Sequence, residues 1–308
     1  MLVNKPNKGT AVRLHFSGGL GNQLFQYAFY NFLISSGVQV HPEFGCMPVR
    51  VDSSGRPWIE SIGSFEKPMN KTNIVKTMVF RRFINLNSLI RTIHKSTDFK
   101  LQNSKKSITR IPFGVIVNDL GGVPEIEKLI SGNVFGYFQS SEWTKKDEIL
   151  GRVIFTDPGS ELLILSENEK PLIVHVRLGD YAENPDLGIL PKSYYLEAIH
   201  ASFDNFDHGA IWLFSDDTSK ALDFIPGKFK HLVRIMESPH DTPPETLNKM
   251  RYGYAYVLAN SSLSWWSALL SFQDSPNVIA PSPWFRRLEE PRNLFLREWK
   301  ITRADWMD

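Results

Sequence analysis

The sequence contains very little cysteine and no long apolar run. Cys46 is the only cysteine among 308 residues, so no intrachain disulfide can form, which fits a reducing compartment. No stretch approaches the roughly 18 uncharged apolar residues that cross a bilayer, and residues 1–20 lack the apolar core of a secretory signal. We therefore expect a cytoplasmic protein without a transmembrane helix.

Several familiar catalytic patterns are also missing. The chain has no Gly-x-Ser-x-Gly, no P-loop Gly-Lys-Ser/Thr and no His-Glu-x-x-His. Asp216 and Asp217 are adjacent and do not form the Asp-x-Asp spacing expected where a divalent metal bridges a nucleotide diphosphate. Because other hard-cation ligands are scattered, we expect no catalytic metal and no cofactor.

The charge is nearly balanced overall but unevenly distributed. The net charge is +2, yet residues 71–110 contain ten Lys or Arg and one acid, Asp98. This stretch is either a solvated helix face or a surface that approaches an anionic bilayer from the cytoplasmic side. We do not expect nucleic acid as a partner, because this stretch has few aromatic residues.

Alternation of apolar runs with glycine-rich turns predicts an α/β chain of two halves, residues 1–160 and 161–308. The last predicted helix is expected to cross back over the first half. Strands are expected at 12–17, 38–43, 132–140, 171–177, 210–214, 231–235 and 277–282. Helices are expected at 24–35, 71–95, 142–150, 192–203, 245–258 and 284–299, and from 216 onward.

Three segments carry chemistry. Residues 18–23, GGLGNQ, follow a predicted strand and open a helix, so they form either a phosphate- or sugar-contacting loop or a plain tight turn. His175 and Arg177 share one side of a strand that ends near Asp180. They indicate an anion site at a sheet edge, or else an Arg177–Asp180 ion pair beside a core histidine.

The third segment is NSSLSWW, residues 260–266. Serines before a helix offer caps and exposed backbone N–H groups, which also suit phosphate. Trp265 and Trp266 are adjacent on a helix and cannot both face one way. Either one packs on a ligand while the other fills the core, or the segment serves only for helix capping and core packing. Ser215, Asp216 and Asp217 end another strand and favour helix capping.

Together these segments resemble glycosyltransferase family 11, the bacterial α-1,2-fucosyltransferases. The matching segments run in family order over nearly the whole chain: GGLGNQLFQYAF (18–29), GYFQSSEW (136–143), HVRLGDY (175–181), FSDD (214–217), ANSSLSWWSALL (259–270) and VIAPSPWF (278–285). The resemblance implies a GT-B-like fold of two Rossmann-type domains facing across a cleft. It also implies inverting transfer of fucose from GDP-fucose to a β-galactoside, without a metal.

The same resemblance implies roles for individual residues. We expect catalysis to involve Arg177, Asp180 and His175, with Asp180 the first choice of base and His175 and Glu183 behind it. The expected donor-binding residues are Gly19, Gly21, Asn22, Gln23, His175, Arg177, Asp216, Asp217, Asn260, Ser261, Ser262, Ser264 and Trp265. The expected acceptor is a galactose-terminated glycan of surface polysaccharide (O-antigen) or oligosaccharide synthesis, with lipid-diphosphate-linked glycans included. Its selectivity is expected to reside in residues 41–70 and 111–125.

The chain also departs from the family pattern. Leu178 stands where a second arginine is common, and Leu263 and Ser267 stand where Phe and Gly are common. Two alternatives therefore remain beside the fucosyltransferase interpretation: a transferase for another GDP-deoxyhexose, and a non-catalytic nucleotide- or glycan-binding relative.

Overall fold

The computed structural model describes residues 11–44, 48–65, 108–111, 114–117, 132–155 and 159–306. The chain divides into two compact units, the first comprising Met1–Val153 with Pro291–Leu294, the second Ile154–Glu290 with Phe295–Asp308. The division follows Val153, whereas the sequence placed it at 160. The predicted helix at 71–95, most of the basic stretch and Cys46 lie outside the described residues. None of the helices in the described ranges is long and apolar enough to cross a bilayer.

The first unit is built on a five-stranded sheet in the order β2-β1-β5-β4-β3. Its pairs are parallel except β3 with β4, which is antiparallel. The elements are β1 (Ala11–His15), α1 (Leu20–Ser35), β2 (Gln39–Glu43), α2 (Trp58–Ile62), β3 (Ile108–Ile111), β4 (Gly114–Val117), β5 (Gly132–Phe135) and α3 (Lys146–Leu150).

The opening of the chain forms because a buried strand leads through glycines into an apolar helix. Val12 and Leu14 of β1 are fully buried. Gly18 adopts φ +74°, a conformation that favours glycine, and α1 then buries most of its length. The predicted order of strand, glycine loop, helix and strand is therefore confirmed.

The second unit is built on a six-stranded parallel sheet in the order β11-β10-β9-β6-β7-β8. Its elements are α4 (Ser160–Glu169), β6 (Leu172–Val176), α5 (Gly179–Ala182), α6 (Lys192–Asn205), β7 (Ile211–Ser215), α7 (Thr218–Ala221), β8 (Val233–Ile235), α8 (Pro243–Met250), β9 (Ala255–Val257), α9 (Ser262–Leu269), β10 (Asn277–Ser282) and β11 (Lys300–Arg303).

The strand β6 is apolar except for His175 because it runs through the core of the second unit. All five of its residues are buried, as expected for a parallel strand covered on both faces. Leu172, Val174 and Val176 share one apolar cluster with Tyr194 and Tyr195 of α6. The hydroxyl of Tyr195 donates to the carbonyl of His175 at 3.1 Å, so α6 also fixes the end of β6.

Three predicted helices are wrong in extent or in kind. The predicted helix 245–258 ends at Met250, and Ala255–Val257 is the strand β9. Short apolar runs do not distinguish a strand from a buried helix by periodicity. Residues 284–299 form turns leading into β11, because Pro291 interrupts a helix in the middle of this segment. Residues 142–150 split into a 3₁₀ turn and the short helix α3.

The connection order of the second unit is that of a Rossmann sheet. The chain starts at the central β6, adds β7 and β8 on one side, and returns to add β9, β10 and β11 on the other. The first unit likewise places β2 on one side of β1 and β5 on the other. The Rossmann order of the second unit and the largely parallel sheet of the first confirm the predicted GT-B-like α/β fold class.

Candidate functional site

The topological switch point of the second unit lies between β6 and β9, which are neighbours in the sheet. In open α/β sheets, ligands bind at the carboxyl ends of the strands where the strand order reverses. Arg177 follows β6, and the serine segment at 260–264 follows β9. The hydroxyl of Tyr181 donates to the carbonyl of Asn260 at 3.1 Å. The fold therefore brings two of the three predicted motifs to one edge of the sheet.

Arg177 is held between two carboxylates at this edge. Its Nε and Nη2 donate to Oδ1 of Asp180 at 3.1 and 2.8 Å, and its Nη1 lies 3.0 Å from Oδ2 of Asp216. The guanidinium also lies 5.7 Å from the ring centre of Tyr181. The Arg177–Asp180 ion pair weighed from the sequence is therefore present, and Asp216 adds a second anion that the sequence did not assign to this arginine.

Asp216 does more than pair with Arg177. Its Oδ1 accepts from the backbone N–H of Leu178 at 2.8 Å, and its Oδ2 from that of Gly179 at 3.0 Å. A Cβ on Gly179 would lie 2.7 Å from Asp216 Oδ2, so the close approach requires glycine. Asp216, predicted to bind the donor, instead fixes the turn that carries Arg177.

Asp217 has the capping role that the sequence favoured. Its Oδ1 accepts from the backbone N–H of Lys220 at 3.1 Å and from the hydroxyl of Ser219 at 2.8 Å. Its Oδ2 lies 2.7 Å from Lys220 Nζ. Hydrogen bonds from Lys220, first its side chain and then its backbone, hold the pKa of Asp217 down at about 2.

Asn260 is buried at the carboxyl end of β9. Its Nδ2 donates to the carbonyls of Leu187 and Gly188 at 3.2 and 3.1 Å. Its Oδ1 is buried and finds no hydrogen-bond partner among the described residues. Because a buried acceptor without a donor is costly, this oxygen marks a position where a ligand N–H or O–H would be favourable.

The serines at the start of α9 divide into two groups. Ser264 is fully buried and its Oγ accepts from the backbone N–H of Ala259 at 3.1 Å, so it holds the turn. Ser261 precedes the helix without capping it through its side chain, and the first turn carries no acid. The N–H groups of 262–264 therefore point out of a positive helix end, which suits an anion beside Ser261 and Ser262.

Trp265 and Trp266 are both fully buried. They pack edge to face, with ring centres 5.1 Å apart, and Trp265 also contacts Trp299. Trp265, which the sequence analysis expected to bind the donor, packs in the core of the second unit in this structure. Two adjacent aromatics can both reach a core when the helix is covered on more than one side.

His175 is buried, and its Nδ1 has no hydrogen-bond partner among the described residues. Burial, with a further contribution from the charge of Arg177, lowers the pKa of His175 to about 3. The imidazole is therefore neutral near pH 7 and a weak proton acceptor. This argues against the predicted catalytic role of His175, whereas Asp180 and Glu183 are both exposed.

Glu237 is a candidate site residue that the sequence analysis did not identify. It follows β8 and is half-buried, and its Oε1 accepts from the hydroxyl of Thr246 at 3.4 Å. Its Oε2 has no hydrogen-bond partner in the described structure. Burial raises the pKa of Glu237; the charge of Asp216 adds to the rise, and that of Arg177 opposes it. An acid two residues after a predicted strand was the available signal.

The glycine motif lies at the start of α1 in the first unit. Gln23 is fully buried, and its Nε2 donates to the carbonyls of Gly18 and Arg50, both at 2.9 Å. Its Oε1 accepts from the backbone N–H of Ile59 at 3.0 Å. Gln23, predicted to bind the donor, therefore holds the loop together.

The other predicted residues of this motif are placed differently. Gly19 precedes α1, and Gly21 is buried within its first turn. Asn22 accepts from Nε2 of Gln139 at 2.9 Å. Asn22 is half-buried, so its amide lies close to the surface of the loop.

The chain is similar to known glycosyltransferases. Residues 131–303 match glycosyl transferase family 11. The chain is 26% identical over 285 residues to an α-1,2-colitosyltransferase of Escherichia coli, covering 89% of this chain and 92% of that protein. It is 27% identical over 298 residues to the O-antigen biosynthesis glycosyltransferase WbnK of Escherichia coli, covering 87% and 93%.

Solved structures are more distant. The NodZ α-1,6-fucosyltransferase soaked with GDP-fucose is 13% identical, with a TM-score of 0.42, covering 90% of this chain and 96% of that one. A likeness at this level carries no argument about the site.

Proposed function

Because the chain belongs to glycosyltransferase family 11, we propose that it transfers L-fucose from GDP-fucose to the 2-hydroxyl of a β-galactoside, with inversion at the fucose carbon. The observation that carries the proposal is Arg177 at the switch point of the second unit, linked to the start of α9 through Tyr181 and Asn260. The 1,2 linkage named for one relative and the O-antigen role named for the other support the acceptor and its surface polysaccharide.

The donor diphosphate would be held by Arg177 together with the amino end of α9. Departure of GDP places negative charge on the β-phosphate, and fixed donors aimed at that charge stabilise the transition state. Arg177 supplies a planar fork, and the N–H groups of 262–264 supply a positive helix end. Ser261, Ser262 and the unpaired Oδ1 of Asn260 lie beside them.

The two carboxylates on Arg177 would act differently when the diphosphate arrives. Asp216 is anchored by two backbone N–H groups, and its side chain is 22% exposed, whereas that of Asp180 is 46% exposed. Asp180 is therefore the one that can move away and free the Nε–Nη2 edge for phosphate. Once displaced, Asp180 is a carboxylate available to take the proton of the acceptor hydroxyl.

One observation favours a second candidate for the donor substrate, GDP-colitose. A relative that aligns over most of this chain is named a colitosyltransferase, and colitose is fucose without its 3-hydroxyl. A site that hydrogen-bonds a substrate hydroxyl rejects an analogue lacking it by about 10⁴-fold. The ratio of rates with GDP-fucose and GDP-colitose therefore separates the two candidates.

The proposal is tested by a transfer assay over a matrix of donors and acceptors. GDP-fucose, GDP-colitose, GDP-mannose and UDP-galactose are each incubated with β-galactosides and with a β-glucoside, and the product linkage is read by NMR. We expect α-1,2-linked fucose on galactosides, with full activity in excess EDTA. Absence of transfer from GDP-fucose, or a product with another linkage, would refute the proposal.

Arg177 is tested in the same assay. We expect Arg177→Ala to lower kcat/KM about a hundredfold, the loss of about 3 kcal/mol that removal of one such donor costs. Arg177→Lys keeps the charge without the fork and should recover only part of the rate. Arg234 on β8, which pairs with Glu169, provides the matched control, and Arg234→Ala should keep the wild-type kcat/KM. Normal turnover by Arg177→Ala would remove Arg177 from the donor site.

A further inference from the structure

The first unit has its own topological switch point, and an exposed aromatic side chain stands at it. β1 and β5 are neighbours, and the chain continues from β1 to β2 on the opposite side. The crevice expected at their carboxyl ends is bordered by Gly18 after β1 and Tyr137 after β5. Tyr137 is 40% exposed. It is the only aromatic side chain that is exposed in the described part of this unit.

The ring of Tyr137 rests against the glycine loop. A Cβ on Gly18 would lie 3.4 Å from Cε1 of Tyr137 and 2.9 Å from Nδ2 of Asn22. The positive φ of Gly18 and this lack of space both require glycine. One part of the ring therefore lies against the glycine loop, and 40% of the residue is exposed to solvent.

The backbone that presents Tyr137 is rigid. Phe138 adopts φ +55°, a conformation that is costly for a residue with a side chain and that clusters at ligand sites. Its ring is fully buried and stacks on Phe29, with ring centres 4.1 Å apart. Its carbonyl accepts from Nε1 of Trp143 at 2.8 Å. With Phe138 fixed in the core, Tyr137 cannot turn inward to bury its own ring.

Two amide side chains, those of Asn22 and Gln139, belong to the same loop region as this ring. Asn22 Nδ2 is near Gly18, and its Oδ1 accepts from Gln139 Nε2 at 2.9 Å. A flat apolar surface with amides at its edge matches a hexose, whose C–H groups cover one face and whose hydroxyls project from the rim. In a galactoside the axial 4-hydroxyl leaves the hydrogens of C3, C4 and C5 together on one face, which suits stacking.

We propose that Tyr137, with Asn22 and Gln139, forms the subsite of the first unit that binds the acceptor galactose, the sugar ring stacking on Tyr137. The assignment rests on the proposed transfer to a galactoside and names where that sugar is held. It also gives the glycine motif a part in acceptor binding, since Gly18 and Asn22 line the subsite.

Binding is tested first, without donor and without turnover. Saturation-transfer NMR is recorded with methyl β-D-galactoside on the full chain and on Tyr137→Ala, Tyr137→Phe and Phe206→Ala. Phe206, 38% exposed in the second unit, is the matched control for loss of an exposed aromatic. We expect signal with the wild type, Tyr137→Phe and Phe206→Ala, and its loss with Tyr137→Ala. Because Tyr137 is exposed, Tyr137→Ala should keep the wild-type melting temperature.

Kinetics give the second reading. We expect Tyr137→Ala to raise the acceptor KM about tenfold, with the donor KM unchanged. No saturation transfer from galactoside to the wild type, an unchanged acceptor KM, or loss of GDP binding in place of galactoside binding would each overturn the assignment. If Tyr137→Ala abolishes galactoside binding but the wild type transfers no fucose or colitose, the proposed function fails and the subsite stands. If the wild type and Tyr137→Ala transfer the sugar equally well, the proposed function stands and the subsite assignment fails.

Discussion

Replacing Asp216 by asparagine should disable the site while changing only one atom. The amide keeps an oxygen that can accept from the N–H of Leu178, but it places an NH₂ where Oδ2 now accepts from Gly179 and Arg177, both at 3.0 Å. The new NH₂ group then faces two other hydrogen-bond donors, the N–H of Gly179 and the Nη1 of Arg177. The turn after β6 keeps the hydrogen bond from Leu178 but loses the one from Gly179, and Arg177 loses the carboxylate that fixes its Nη1.

The magnitude follows from those two contacts. A hydrogen bond to a charged group contributes about 1.5–3 kcal/mol, and the exposure of Gly179 places this one at the low end because water can replace the acceptor. The ion pair is partly buried, with side chains 25% and 22% exposed, and adds less than about 1 kcal/mol. We expect the free energy of unfolding to fall by about 2 kcal/mol, which lowers Tm by about 4–8 °C. Misplacement of Arg177 by about 1 Å should lower kcat/KM about a hundredfold.

The assay combines thermal unfolding with transfer kinetics on Asp216→Asn and Asp217→Asn. Asp217 is the adjacent carboxylate, but its contacts are with Ser219 and Lys220, so its variant should leave kcat/KM close to wild type. Wild-type stability and turnover in Asp216→Asn would refute the holding role of Asp216. An equal loss of turnover in both variants would show that the effect is not specific to the Arg177 turn.

Two further predictions concern buried positions next to Arg177. The pKa of His175 is lowered from 6.5 to about 3, so between these values the unfolded chain binds more protons and stability falls as the pH falls. In His175→Gln, urea unfolding at a series of pH values should show this dependence flattened by up to about 1.4 kcal/mol per pH unit, and an unchanged slope would contradict the assignment. Leu178 is 6% exposed within the apolar cluster of β6 and α6, so Leu178→Arg should lower the free energy of unfolding by about 3 kcal/mol in the same denaturation experiment. The KM for the donor should not fall. A lower KM would show that the added guanidinium reaches the site.

The sequence predicted the parts of the fold that local pattern controls. The strands β6, β7, β8 and β10 lie at or within one or two residues of the strands expected from apolar runs. His175 and Arg177 were placed on one side of a strand that ends near Asp180, because side chains alternate along a strand. The strand β9 was missed because Ala255–Val257 is three residues long, too short to show a period. The wrong helix at 284–299 was predicted across Pro291, which a helix interior does not tolerate.

Partners of the site residues could not be predicted in the same way. Asp216 is 39 residues from Arg177 along the chain, and its pairing depends on the parallel register of β6 with β7. Trp265 packs against Trp299, which lies beyond β10, 34 residues further along the chain (299 − 265). Gln23 is a polar residue in a glycine motif, a pattern that favours ligand binding, yet its three hydrogen bonds all go to backbone. Such contacts are set by tertiary packing.

With Leu178 in place of the arginine that is common in the family, the site has one positive charge fewer. The side chain at this position packs in the core, so the edge of the sheet carries one guanidinium against the carboxylates of Asp180 and Asp216. This cluster has an excess of negative charge before any donor binds, which opposes a diphosphate. Binding therefore requires positive potential from another source, and the amino end of α9 provides it without a charged side chain. It also requires one carboxylate to leave, and Asp180 has the more exposed side chain, 46% against 22% for Asp216. In the proposed mechanism, the displacement that opens Arg177 to phosphate would also deliver Asp180 as a base to the acceptor, so donor binding and proton removal would be coupled through a single aspartate.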